Sequence, residues 1–306
     1  MNPRTPVIVH TVQEPMIPSR GQNMGQKKSR FGGRTLCIAI STLLFVAVGL
    51  ILVFAFVRDP VSREAKETFQ MLKECLNDTI STNMRELVIP DGECNDIDST
   101  VFDLGAFRKL ERLSVGSFSL GSILTVRIRN LKSLESIVFK EESFTRKNGE
   151  LHIENCVALK TLRMLDGSFH FFSALSLTSL PSLETLHIGA DCFTEVEHFT
   201  LSSLPHLRSV FFGESSFIRK AGELRVENCQ SLEELTVRDK AFGAFTRLHL
   251  ARLPALQRLT IGADCFADVR DLALAQLDSL RSVVVGTNSF AHAAGAFSLV
   301  ASSVQE

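Results

Sequence analysis

The sequence contains no tryptophan and no tyrosine, so its 23 phenylalanines are the only large aromatic side chains. It also lacks a C-x-x-C pair, a metal-ligand spacing, a P-loop, a dinucleotide-binding fingerprint and a G-x-S-x-G element. Paired carboxylates of a hydrolase cleft are not discernible either. We therefore expect a protein that is not an enzyme and has no catalytic residues, metal or cofactor. A hydrolase acting on surface polymers is the disfavoured enzyme alternative.

A strong charge of either sign is also missing, because the formal net charge is −1 over 306 residues. The distribution is uneven: residues 1–34 carry six basic groups against the single acid Glu14, which leaves −6 for the remainder. An acidic remainder argues against a nucleic-acid partner, which requires a clustered basic face. Residues 1–34 mix Pro, Gly, Ser and Gln without hydrophobic periodicity, which predicts a disordered cytoplasmic tail. Nuclear targeting, attraction to anionic lipid and a topogenic flank are all open for the basic cluster at 27–30.

Residues 35–57 form a run of 23 residues without a single charge. As a helix this run is roughly 34 Å long, enough to cross a hydrocarbon core of about 30 Å. A buried core helix and a cleavable signal peptide are the disfavoured alternatives. Basic residues precede the run and mixed charges follow it, so the positive-inside rule predicts a single-pass type II signal anchor. The N-terminus is then cytoplasmic and the rest of the chain extracellular or lumenal.

Residues 58–83 are expected to form a juxtamembrane helix beginning at Asp59-Pro60, a favourable start for a helix. Its apolar face, with members spaced three and four residues apart, either lies on the membrane or caps the segment that follows. That face comprises Ala65, Phe69, Leu72, Cys75 and Leu76. We favour the cap, and a disulfide between Cys75 and Cys94 is hypothesised to fasten it. Asn77 begins an Asn-Asp-Thr acceptor triplet for N-glycosylation on the predicted exterior side.

A repeat organises residues 84–299. The six residues Ile188–Phe193 recur unchanged at 261–266, 73 positions later, and roughly half of 131–203 is repeated in 204–276. A leucine recurs every 24 or 25 residues, at 110, 134, 159, 183, 207, 232, 256 and 280. Each unit contains two short runs of alternating apolar residues, the spacing of strands with one buried face. We expect a β-rich solenoid of about nine coils, followed by a short tail at 300–306.

An aromatic residue stands ten positions after that leucine in seven of the eight units. These positions, here called the Phe slot, are Phe144, Phe169, Phe193, Phe217, Phe242, Phe266 and Phe290, with Leu120 in the first unit. Stacked coils lie about 4.8 Å apart, so the Phe slot predicts a continuous aromatic spine. Equivalent cysteines are three coils apart, about 14 Å, too far for a disulfide within one molecule. We interpret Cys156, Cys192, Cys229 and Cys265 as small buried apolar residues.

The apolar positions follow L-x-x-L-x-L-x-x-N-x-L, and the chain therefore resembles leucine-rich-repeat proteins over about 84–299. The I-G-x-x-x-F element at Ile188–Phe193 is similar to the BspA-like surface-antigen branch of that family. The resemblance implies a right-handed, curved solenoid used for recognition, without catalytic residues. At the Asn position the chain departs from the family, with Glu142, Gly167, Asp191, Ser215, Lys240 and Asp264, and an Asn only at Asn288. A continuous Asn ladder is therefore not expected.

The outward face of the first strands is the predicted binding surface for a protein or glycan ligand. Its candidate residues are Val138, Arg163, His187, Phe211, Arg238, Arg258 and Val284. Phe211 with nearby arginines has the composition of an interface hot spot, although isolated apolar residues are also common on surfaces. The expected function is display of this solenoid at the membrane as an adhesin, receptor or surface antigen. The alternative is a structural protein that forms homo-oligomers through an uncapped C-terminal coil.

Overall fold

A computed structural model describes residues 61–76, 80–291 and 296–300. The predicted cytoplasmic tail, the run at 35–57, the acceptor Asn77 and residues 301–306 lie outside the described residues. Within the described ranges, none of the helices has the length and apolarity needed to span a bilayer.

The described chain is one helix followed by eighteen short strands. Helix α1 covers Arg63–Cys75. The odd-numbered strands are β1 (Glu86–Ile89), β3 (Arg112–Val115), β5 (Ser136–Phe139), β7 (Thr161–Met164), β9 (Thr185–Ile188), β11 (Ser209–Phe212), β13 (Glu234–Val237), β15 (Arg258–Ile261) and β17 (Ser282–Val285). The even-numbered strands are β2 (Val101–Asp103), β4 (Thr125–Arg129), β6 (Gly149–Glu154), β8 (Phe172–Thr178), β10 (His198–Ser202), β12 (Glu223–Glu227), β14 (Arg247–Ala251), β16 (Asp271–Ala275) and β18 (Ala296–Val300).

The strands stack into a β-solenoid of about eight turns. The odd-numbered strands form one nine-stranded sheet in which neighbouring strands are parallel. The even-numbered strands form a four-stranded sheet, β2-β4-β6-β8, and a five-stranded sheet, β10-β12-β14-β16-β18. Each coil therefore contributes one strand to the first sheet and one to the opposite side, as the two alternating runs per repeat predict. The inward residues of both sides meet in one continuous core, because a single coil cannot bury its own apolar face.

The Phe slot forms the aromatic spine expected from the sequence. From Phe144 to Phe290, consecutive rings are stacked with centroids 4.7–5.8 Å apart. Leu120 continues the slot in the first unit and is fully buried. Inward residues of the strands pack across the spine; Phe139, for example, meets Phe169 edge-on at 4.8 Å. The spine therefore joins the coils from Phe144 to Phe290.

Each full coil turns at corners whose backbone φ is positive, although most of these residues are not glycine. The Phe slot is one such corner, with φ of 50–59° from Leu120 to Phe290. The Asn position of the repeat is a second corner, and residues such as Asn130, Asn155 and Asn228 form a third. A left-handed conformation costs roughly 1–2 kcal/mol for an L residue. Burial of the Phe side chains and hydrogen bonds between coils offset this cost.

Backbone hydrogen bonds between coils satisfy the corner at the Asn position, so an Asn ladder is not needed. The amide of Glu142 donates to the carbonyl of Asp166 in the next coil at 3.0 Å. Asp191 and Lys240 donate in the same way to Glu214 and Ala263, at 2.9 and 2.7 Å. The side chain at this position is therefore free to vary from coil to coil.

Glycine is required directly after several strands of the first sheet because adjacent coils approach very closely there. A Cβ added to Gly213 would lie 2.2 Å from the carbonyl carbon of Gly189, and one on Gly286 would lie 2.3 Å from the amide nitrogen of Ala263. These contacts are shorter than any side chain tolerates, and they involve backbone atoms that cannot move aside. Gly213 and Gly286 therefore allow neighbouring coils to approach closely at this corner.

Helix α1 covers the first strand of the even-numbered side, but it begins later than predicted. Its N-cap is Ser62 rather than Asp59, and the Ser62 hydroxyl accepts from the Ala65 amide at 3.0 Å. The Ser62 hydroxyl also donates to Asp103 of β2 at 3.1 Å. The predicted apolar face packs against the core, with Ala65 and Leu72 buried and Phe69, Cys75 and Leu76 partly buried; Thr68 and Met71 are buried on the same helix as well. Cys75 and Cys94 are joined by a disulfide, with a Cα–Cα distance of 5.4 Å.

The last coil differs from the predicted core. Val283 and Val285 were expected to face inward as buried residues, but they are 53% and 48% exposed. In the described part of the chain no strand pairs with β17 on its outer side. The strand has the apolar residues of an interior coil without the neighbour that would bury them.

Candidate binding face

The outward residues of the first sheet form rows across its strands because neighbouring strands pair in parallel without a shift. The central row contains Val88, Ser114, Val138, Arg163, His187, Phe211, Thr236, Thr260 and Val284. We call it the central outward row. It brings together five of the seven residues predicted to bind a ligand. The prediction that Val138, Phe211 and Val284 are equivalent is confirmed by this register.

The middle of the central outward row is a pair of stacked rings. His187 and Phe211 are opposite one another on β9 and β11, with centroids 4.6 Å apart and planes 2° from parallel. Arg163 is the neighbour of His187 on β7 and is exposed. Partial burial lowers the pKa of His187, and the nearby Arg163 guanidinium lowers it further. The imidazole is therefore neutral at pH 7 and presents a flat, uncharged surface together with Phe211.

Two of the predicted arginines are not beside Phe211. Arg258 lies two strands away, in a different row, and its guanidinium contacts the Glu234 carboxylate at 3.0 Å. Arg238 follows the end of β13, two positions beyond the strand partner of Phe211, and is exposed. The proposed cluster of Phe211 with three arginines is therefore wrong in its arrangement. The ring contact of Phe211 is His187, which alternating patterns within one strand could not reveal because it depends on register between coils.

Among the described residues, the free cysteines Cys156, Cys192, Cys229 and Cys265 are fully buried, and none of their side chains contributes to the candidate face. The Cys192 and Cys265 thiols donate to the carbonyls of Leu165 and Arg238, at 3.3 and 3.1 Å. Serine hydroxyls make the equivalent bond in other coils, as Ser119 does to Pro90 at 2.7 Å. Burial raises the pKa of Cys192 and Cys265 to about 12. These thiols are therefore protonated near neutral pH and poor nucleophiles.

One cluster was not recognised from the sequence. The Phe171 ring lies under two cations, Lys147 and Arg219, which come from loops 73 positions apart. The signal was present as an Arg-Lys pair in both copies of the repeat, at 146–147 and 219–220. It was missed because only stacking of the coils brings the two loops to the same ring.

Comparison of the chain with protein-family models, with curated proteins and with solved structures gives no match. The functional argument therefore rests on the residues and their geometry.

Proposed function

We propose that the chain is a non-enzymatic, single-pass type II membrane protein whose solenoid recognises a protein or glycan outside the cytoplasm. The observation that carries the proposal is the stacked His187–Phe211 pair at the middle of the central outward row. Two flat rings on neighbouring strands offer amphipathic contact area that loses little side-chain entropy on binding. The paired strands hold both rings in place, so the surface is organised before a ligand arrives.

The membrane part of the proposal is supported by the uncharged run at 35–57 and its basic N-terminal flank. The Cys75–Cys94 disulfide agrees with an oxidising compartment for the solenoid. A leucine-rich-repeat relationship, of the BspA-like type, belongs to the same proposal and is supported by the L-x-x-L pattern in a parallel solenoid. Protease protection of tags at both termini tests the topology. A cytosolic C-terminal tag would overturn it.

The recognition surface is tested with the full chain in mild detergent on protein and glycan arrays. Replacing His187 and Phe211 by serine is expected to weaken binding to the ligands found by at least tenfold, since hot-spot residues contribute about 2 kcal/mol or more. Val88→Ser is the matched control, because Val88 is 52% exposed at the distant end of the same row. Unchanged binding by the double variant would show that this face does not bind the ligand.

The second candidate function is structural, and the exposed last coil favours it. Val283, Val284 and Val285 are each about half exposed on β17, the last strand of the first sheet. A terminal strand with free backbone groups is a template for pairing with another chain. Under this proposal a second copy covers β17, and the mass of the detergent-solubilised protein measured by light scattering doubles with concentration. Val283→Lys is expected to abolish that increase, whereas a constant monomer mass in the unmodified chain would contradict self-assembly.

A further inference from the structure

A basic cluster surrounds Phe171 on the loops that lead from the Phe slot to the even-numbered strands. Four exposed cations contribute to it: Arg146 and Lys147 from one loop, and Arg219 and Lys220 from the equivalent loop 73 positions later. This surface lies away from the strands of the first sheet, so it is separate from the central outward row.

The Phe171 ring is the point where the two loops meet. The Lys147 ammonium is 5.5 Å from the ring centroid and the Arg219 guanidinium carbon is 5.6 Å from it. Lys147 belongs to the coil before Phe171 and Arg219 to the second coil after it. The His170 ring packs edge-on against Phe171 at 4.3 Å. The aromatic ring therefore holds together cations that simple stacking would leave about 14 Å apart.

Backbone hydrogen bonds fix the loops that carry these cations. The amide of Asn148 donates to the Phe171 carbonyl at 3.0 Å. The amide of Thr194 donates to the His170 carbonyl, and that of Arg219 to the Thr194 carbonyl, each at 3.0 Å. Because every loop is bonded to its neighbour, the backbone that carries these cations does not have to be ordered when a ligand binds.

The cluster retains positive charge after its own ion pairs are considered. Arg219 contacts Glu195 at 3.2 Å and Lys220 contacts Glu197 at 3.9 Å. For Arg146 and Lys147, the described part of the chain offers no carboxylate within 4.0 Å, and both side chains are exposed. Two cations without a counter-charge, next to two that are paired, attract an anionic ligand in a chain whose remainder after residue 34 is acidic.

We propose that this cluster binds a sulfated polysaccharide. Guanidinium and ammonium groups are the donors that suit sulfate oxygens, and their spread over four coils fits an extended chain with charges along its length. A single-stranded nucleic acid would require a bare aromatic ring for base stacking, whereas the Phe171 ring is already in contact with two cations. Arginine clusters also recognise acidic peptides, so polyglutamate of matched charge is the competing ligand in the test.

The test measures binding of the full chain in mild detergent to a heparin oligosaccharide at several salt concentrations. The double variant Lys147→Gln/Arg219→Gln is expected to weaken binding at least tenfold. The slope of log affinity against log salt should fall by about one unit for each cation removed, since each contact with a fixed charge releases a counterion. The matched control is Arg85→Gln/Arg208→Gln, which removes two exposed, ion-paired arginines elsewhere on the solenoid.

Three outcomes would overturn the proposal. Equal loss of heparin binding in the control would show that only net charge matters. Equal affinity for the desulfated oligosaccharide would show that sulfate is not the group recognised. Tighter binding to a single-stranded oligonucleotide or to polyglutamate of matched charge would assign the cluster to another class of ligand. Circular dichroism melts of both double variants separate a loss of binding from a loss of folding.

Discussion

Phe217 illustrates how single residues in this solenoid combine an unfavourable backbone with a favourable side chain. Its φ is 56°, yet its ring is fully buried and stacks on Phe193 and Phe242 at 5.7 and 4.7 Å. The ring contacts therefore stabilise a corner that the backbone alone would avoid. Ala in the same corner would bear the backbone cost without that contribution.

Phe217→Ala is accordingly expected to lower the free energy of unfolding by about 3–5 kcal/mol, the usual cost of truncating a buried Phe. The control is Phe118→Ala, because Phe118 has the same positive φ of 57° but is 64% exposed. Urea unfolding followed by circular dichroism measures both. Similar midpoints for the two variants would mean that the spine does not stabilise the fold.

The buried thiols predict a loss of stability at alkaline pH. Their pKa values are raised to about 11 for Cys156 and Cys229 and to about 12 for Cys192 and Cys265. Above about pH 9 the unfolded chain loses these protons first, so unfolding becomes more favourable by up to about 1.4 kcal/mol per pH unit and thiol. The stability that depends on the protonated buried thiols is fully present below pH 9 and is lost as the pH rises toward 12.

A Cys192→Ser/Cys265→Ser variant tests this effect, because serine already occupies the same position in coils that contain Ser143, Ser168 and Ser216. We expect it to fold and to show a shallower decline in melting temperature between pH 8 and 11. The absence of tyrosine removes one competing alkaline titration. An identical decline in both proteins would contradict burial of the two thiols.

At the scale of elements, helix α1 protects the edge of β2 through one hydroxyl group. Thr68 Oγ1 donates to the Val101 carbonyl at 3.2 Å and accepts from the Asp103 amide at 2.9 Å. A neighbouring strand would satisfy the same two backbone groups. Helix α1 therefore takes the place of a preceding coil at this edge, and it also supplies the hydrogen bonds that a strand of such a coil would make.

Thr68→Val keeps the shape of the side chain but removes both bonds. We expect the free energy of unfolding to fall by about 1–3 kcal/mol and the Asp103 amide to exchange faster with solvent. Thr68→Ser, which keeps the hydroxyl, is the control. Slow exchange at Asp103 in the valine variant would show that another group satisfies this edge.

The strands and the aromatic spine were predictable from sequence because their residue pattern recurs in every coil. Features that depend on one residue or on a contact between coils were not. The alternation of apolar residues predicted two strands per coil, and the Phe slot predicted the spine. Asp59 and Ser62 both belong to residue types that favour an N-cap, so the sequence does not distinguish them; in the structure Ser62 caps the helix and donates to Asp103. The His187–Phe211 contact depends on register between coils, and a pattern within one strand does not contain that information.

At the scale of the whole molecule, stability should decline toward the last described coil. Each coil is stabilised by its neighbours, and β17 has a neighbour, β15, on one side only. Val283 and Val285 lie at the same inward positions as fully buried residues of interior coils, but they are about half exposed. These positions were assigned to the core because the sequence of a coil does not show whether another coil covers it.

Hydrogen exchange should therefore be faster in β17 than in β9, with intermediate rates in β15. Measurements on the full chain at two protein concentrations distinguish an open coil from a covered one. Protection of β17 equal to that of β9 at both concentrations would contradict an open coil. Protection that rises with concentration would instead indicate a second copy.

The 73-residue repeat of the sequence has a consequence for valency. Three coils separate the copies, so equivalent surface groups recur about 14 Å apart along one rigid axis. Val138 and Phe211 on the central outward row are such a pair. A polymeric ligand whose own period matches that distance would engage two copies at once, and the second contact would form at a high effective concentration. Moderate affinity at each copy would then suffice for avid attachment.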